Sequence, residues 1–359
     1  MRARVTDGTC LAALVRMAKP LCRAAEHQCP RTGPGRPPAF PDWLMAMLIM
    51  IAVLKKRKSK SAQYRFLWEH RQELQRWLDW HGFPARSTYF DRYQRAHQLF
   101  EVAIRLQGQQ ALKEGVADAQ TVAVDKSLWK ALGPEWHAKD RRAGRIPPKL
   151  RGVDRGSSWG YSEHHGWVQG YSYEVVVTAT PGSRVFPLLA SGGTANASEH
   201  ASFGPKIEQL PEQTKNVLAD GGYDNNEYGD RIEYDSQGRT TGRHFVCPLQ
   251  PRNTTRRDGI AQPHRGRARR RSHERRGRRM AFYRSAKGRR LYAQRGQTVE
   301  PFNDWFKASF ELNEHAWHRG LDNNKTQVLA AIFCYQLLVR YNHRKGRQNG
   351  QIQWILDQL

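Results

Sequence analysis

Asp125, Asp220 and Glu300 are the residues on which chemistry could rest. Asp125 closes the β-branched run TVAVD at 121–125, and Asp220 closes VLAD at 217–220. Glu300 stands at the head of a helical stripe, Val299, Phe302, Phe306 and Phe310, whose steps of three and four make one buried face. Glu300, Asn303, Asp304 and Lys307 fall on another face of that helix. A carboxylate and a lysine on one rigid helix, just after Arg295, suit metal ions and phosphate. Taken alone, the same residues would equally make a solvated charge face of little energetic worth. Such residues suit a site for hard divalent cations beside a phosphate. Magnesium prefers hard oxygen ligands to histidine or cysteine.

The elements that must position these residues follow the chain. Residues 1–32 form an N-terminal extension with a weak helical pattern. A Pro/Gly hinge at 33–42 leads into a helix capped by Asp42. The apolar run at 43–54 is too short to span a bilayer, and the chain is read as having no membrane partner. Several short helices follow, and residues 33–115 read as an all-α, helix-turn-helix-like DNA-binding domain. Its groove-reading helix would lie at 86–95, with Thr88, Tyr89, Arg92 and Tyr93 toward DNA.

Past Gly115 the pattern becomes extended. Strands are expected at 121–125, 168–180, 184–190, 217–220 and 244–249, and helices at 198–210 and after Asp224, which with Glu227 makes a capping pair. Thr298 and Pro301 mark the start of the last catalytic helix, and 328–339 reads as a buried closing helix. Residues 116–345 thus form one α/β domain, with inserts at 126–167 and 251–290 and a tail at 346–359. The first insert interleaves cations with Trp129, Trp136, Trp159 and Trp167, a mixture that suits either a DNA-facing lobe or a loop with its own small core.

Charge points to the partner. The 359 residues carry 59 Lys/Arg against 33 Asp/Glu, a net of +26, which favours a polyanion such as nucleic acid. Residues 251–290 alone hold sixteen Lys/Arg and two acids. Almost no apolar residues accompany them, so this segment, with Arg269, Arg270 and Arg271 at its centre, reads as a flexible loop that orders on DNA. The five cysteines include no C-x2-C pair, which argues against a disulfide framework or zinc ribbon and fits a reducing cytoplasm. The pairs His164-His165 and His315-x2-His318 read as ordinary surface or core histidines.

Tyr292, Arg295, Glu300 and Lys307 resemble the Y-R-E-K signature of bacterial insertion-sequence transposases of the DDE type, commonly Y-x2-R-x3-E-x6-K. The outer spacings agree, while four residues rather than three separate Arg295 from Glu300. Together with VAVDKS and LADGGYD, the resemblance covers roughly 33–344. It implies a ribonuclease-H-like fold, a mixed five-stranded sheet flanked by helices, in which the first and fourth strands are neighbours and bring the three acids together. It further implies two Mg2+ ions, with Mn2+ able to substitute, Asp125 bridging both and Asp220 and Glu300 holding one each. Tyr292, Arg295 and Lys307 would contact DNA phosphates. The implied reaction is hydrolysis at the element ends, then 3′-OH strand transfer into target DNA. The partners are double-stranded DNA, as terminal inverted repeats and target, and a second copy in a synaptic homodimer, at the nucleoid. A nuclease of the same fold, and a non-catalytic DNA-binding protein derived from a transposase, are the alternatives.

Overall fold

The computed structural model describes residues 10–29, 38–162, 166–250, 267–347 and 351–359. Six helices come first: α1 (Cys10–Gln28), α2 (Asp42–Leu54), α3 (Lys60–Glu69), α4 (Arg71–Leu78), α5 (Arg86–Tyr93) and α6 (Ala96–Lys113). In α1 a stripe of Leu11, Leu14, Val15, Ala18, Cys22 and Ala25 is buried, the expected face of an amphipathic helix. Every residue from Trp43 to Leu54 of α2 is buried, so its apolar run makes a core helix. No helix among the described residues is long and apolar enough to cross a membrane.

The second part holds β1 (Thr121–Lys130), α7 (Ala138–Arg142), β2 (Ser158–Ser162), β3 (Gly166–Thr178), β4 (Pro187–Thr194), α8 (Glu199–Phe203), β5 (Asn216–Leu218), α9 (Asn226–Glu233) and β6 (His244–Val246). It continues with α10 (Arg267–Arg284), α11 (Ala286–Ser309), α12 (Leu321–Arg344) and α13 (Gln353–Gln358). Among the described residues the sheet has six strands. β3 lies antiparallel between β1 on one side and β2 and β4, end to end, on the other. β1 then pairs parallel with β5, and β5 with β6. The path β4-β3-β1-β5-β6 is consistent with the ribonuclease-H-like fold, three antiparallel strands followed by two parallel ones. The helical layer and the sheet share one core. Gln336 of α12 stitches them, donating to the carbonyls of Ile104 in α6 and Pro187 in β4.

Several expectations are corrected. A sixth strand, β2, comes from inside the first insert, and β1 runs five residues past Asp125, because its antiparallel ladder with β3 continues from Lys126 opposite Glu174 to Lys130 opposite Gly170. Trp129 is therefore a core residue against Tyr171 and Tyr173, whereas Trp167 is exposed. The helix expected at 198–210 is α8 followed by a 3-10 turn. Asp42 and Asp224 are not caps: Pro41 precedes α2, and Asn225 caps α9. The tail closes on the core through Ile352, Ile355 and Leu356.

The basic segment differs most. Residues 267–284 and 286–290, expected as loop, are helical; 251–266 lie outside the described residues, as do His164 and His165. Arg276 of α10 donates to Asp224 and Asn226, and buried Arg279 to Asp230 and Asn226. Phe282 stacks on His244 with ring centroids 4.4 Å apart. Acids on and beside α9, not DNA, satisfy these arginines. His318 is a core histidine bonded to Tyr93.

One glycine fixes the central pairing. A Cβ on Gly170, where β3 faces the end of β1, would lie 1.9 Å from the Trp129 carbonyl oxygen. That contact is main chain to main chain, so neither partner can rotate away. Gly170→Ala should lower unfolding stability by about 3 kcal/mol or more, read as a drop in denaturant midpoint. An unchanged midpoint would mean that β1 and β3 can part locally at no cost.

Candidate active site

Three separate segments deliver the acids. Asp125 sits midway along β1, and β5 pairs beside β1, so the loop after β5 opens next to it. Asp220 lies two residues past β5, where its Oδ1 accepts from Gly222 N at 2.8 Å and caps the 3-10 turn at Gly221–Tyr223. That turn is pinned from below. Tyr223, fully buried, donates to Glu174 of β3 at 2.9 Å, and Glu174 pairs with buried Lys206 at 2.8 Å. Glu300 comes from α11, with its side chain 66% exposed.

The three carboxylates converge on one guanidinium. Arg295 Nη2 lies 2.5 Å from Asp125 Oδ1 and 3.3 Å from Asp220 Oδ2, and its Nη1 is 3.9 Å from Glu300 Oε1. The Arg295 side chain is only 12% exposed. Its Nε is buried with no partner. Among the described residues no three His, Cys, Asp or Glu side chains gather closely enough to hold a metal by themselves. The donor set nonetheless fits a hard divalent cation: all carboxylate oxygen, already drawn round a positive charge.

Asp125 is the most constrained of the three. Burial pushes its carboxyl up to about 6; the Arg295 guanidinium pulls it down and Asp220 pushes it up again. Its second oxygen accepts from Asn303 Nδ2 at 2.8 Å, and Asn303 Oδ1 accepts in turn from the Tyr173 hydroxyl at 2.9 Å. Asn303 and Tyr173 were missed as site residues. Asn303 could have been found, since it shares the helix face of Glu300; nothing in the sequence ties Tyr173 to it.

α11 begins far earlier than expected. Ser285 caps it, Thr298 is interior, and Pro301 lies inside the helix. The Thr298 hydroxyl donates to the carbonyls of Gln294 and Arg295, one turn back. Such back-bonding is compatible with a local bend at a proline.

The remaining expected contacts scatter. Tyr292 is half-buried, edge-on to Tyr283 of α10 at 5.3 Å, and burial pushes its hydroxyl up to about 12. Lys307 does not face the acids' outer side. It is 7% exposed, and its ammonium donates to the Leu128 carbonyl of β1 at 2.9 Å, so in this structure it ties α11 to β1. Arg92 is tied to Asp42 and to the Phe40 carbonyl, while Tyr89 and Tyr93 are core residues. The α5 face expected to read a groove is therefore turned inward. Arg271 is exposed on α10, and the side chains of Arg269 and Arg270 lie outside the described residues.

One family model, described as a transposase DDE domain, matches residues 109–337, well over half of the chain and all three acids. No curated protein and no solved structure showed significant similarity.

Proposed function

The chain belongs to the transposase DDE domain family, and from that premise we propose that it is the transposase of a bacterial insertion sequence, cutting element ends and joining the freed 3′-OH to target DNA. The observation that carries this reading is the convergence of Asp125, Asp220 and Glu300, from a strand, a loop and a helix, on one cationic point. Asp125, Asp220 and Glu300 are the groups that would hold two divalent cations, Mg2+ or Mn2+. When bound, such ions activate the attacking oxygen and neutralise the leaving one.

The chain's own residues do the positioning. Asn303, steadied by Tyr173, fixes the Asp125 carboxylate in one orientation. The Glu174–Lys206 pair holds the turn that presents Asp220. Arg271 and Arg278 of α10, with Lys287, Arg289 and Arg290 at the start of α11, are exposed and suit the phosphates of a duplex leading toward Glu300. The Y-R-E-K reading of Tyr292 and Arg295 belongs here as well, with Arg295 able to turn its fork to a phosphate. A homodimer holding both element ends is the assembly this implies.

The test is an end-joining reaction. Purified protein, Mg2+, a duplex bearing the inverted repeat that flanks the gene, and a supercoiled target plasmid should yield nicks at the repeat end and donor–target joints. Nicks without joints would reduce the protein to a nuclease. DNA binding with neither product would make it a non-catalytic DNA-binding protein.

A further inference from the structure

We infer that Arg295 is the resident counter-cation of the acid cluster, and that capture of its guanidinium by a DNA phosphate is what opens the cluster to divalent cations. The inference rests on the reading of the three acids as metal ligands, and adds an order of events to it.

The geometry makes the two cations mutually exclusive. The guanidinium stands between Asp125 and Asp220 and reaches toward Glu300. A cation bound by Asp125 and Asp220 would need the space that Nη2 now fills. An empty, fully ionised cluster is disfavoured, because a buried carboxylate beside a second one needs a positive partner or a proton. One charge must therefore replace the other.

The latch is also built to release. Nη2 is shared between two acids, the Glu300 contact is long at 3.9 Å, and Nε is buried without an acceptor. A planar fork matches a phosphate with two parallel bonds, which a pair of divergent carboxylates does not offer. Arg295 lies on the same helix as exposed Lys287, Arg289 and Arg290, one to two turns N-terminal to it. A duplex tracked by those residues brings phosphate oxygens within reach of the guanidinium. Metal and DNA binding then favour each other, and the coupling must be reciprocal. The device would keep a nuclease-capable site unloaded until DNA is in place.

Mn2+ binding read by electron paramagnetic resonance tests this without any turnover. The probes are Mn2+ alone and Mn2+ with a short duplex of random sequence. Wild type should bind Mn2+ weakly alone and about tenfold tighter or more with duplex, within the usual range of allosteric coupling. Arg295→Gln should bind Mn2+ tightly without DNA and gain little when duplex is added. Arg295→Lys keeps a charge but cannot bridge all three acids, so it should fall between the two; it also serves if the glutamine variant does not fold. Arg295→Gln or Arg295→Lys binding Mn2+ no tighter than wild type in the absence of DNA would overturn the latch. Asp125→Asn binding Mn2+ as well as wild type, with and without duplex, would instead remove the metal reading on which the latch rests.

Discussion

Asp125→Asn is expected to abolish metal-dependent strand cleavage while leaving the fold intact and the protein still able to bind DNA. Metal ions at such a site supply several kcal/mol of charge stabilisation in the transition state. Losing about 4 kcal/mol of it slows the step about a thousandfold. Asp125 is the acid most enclosed by protein, its side chain 14% exposed against 39% for Asp220 and 66% for Glu300. Asp125→Asn should therefore be the most damaging of the three amide changes and Glu300→Gln the least, since an exposed ligand is most easily replaced by water. Stability should move the other way. The folded carboxyl titrates at about 6, above the ordinary aspartate value of about 4. Its charged form is thus disfavoured by folding, and wild type loses stability relative to the amide as pH rises from about 4 through about 6. At neutral pH Asp125→Asn should unfold no earlier than wild type. Single-turnover cleavage, gel-shift affinity and a denaturant midpoint measured on each variant check the three parts. Cleavage at the wild-type rate in any one variant would remove that acid from the metal site.

What the sequence disclosed and withheld follows from range. Asp125 and Asp220 stood out in the sequence because each closes a short apolar run, a pattern set by near neighbours. Their proximity depends on the parallel pairing of β1 with β5, which only the family resemblance implied. The Arg295 position was not legible: spacing along a helix gives its face, but not that three acids from elsewhere enclose that face. Composition misled at α10. The sixteen cations of 251–290, with almost no apolar residues, suggested no possible core, yet the helix is held by Asp224, Asp230 and Glu233, 46 to 52 residues upstream of the arginines they pair with. Pro301 misled in the opposite way. A proline usually marks a first turn, but here the helix continues through it, with Thr298 bonded one turn back. Tyr89 and Arg92 looked like groove-reading side chains by type alone, and Gln63 and Asp42 claim them instead.

Lys307 carries the second large effect, and it concerns stability before chemistry. Its ammonium is buried against β1, donating to the Leu128 carbonyl, two residues beyond the strand position next to Asp125. Burial pulls its pKa below the ordinary lysine value, with Asp304 and Asp125 opposing. Lys307→Met keeps the apolar stem and removes the donor, leaving a buried carbonyl unpaired at about 1–3 kcal/mol. Lys307→Ala also opens a cavity and should cost about 3–5 kcal/mol in all. The folded protein binds this proton less firmly than the unfolded chain does. Wild type should accordingly gain on Lys307→Met as pH rises from the depressed value toward about 10. DNA binding gives the opposing test. A lysine on a phosphate contributes about 0.9 to the slope of log affinity against log salt, and a tether inside the protein contributes nothing. The expected result is a lower unfolding midpoint with an unchanged salt slope. A Lys307→Met protein as stable as wild type, with its slope reduced by about one contact, would return Lys307 to the DNA and detach it from β1.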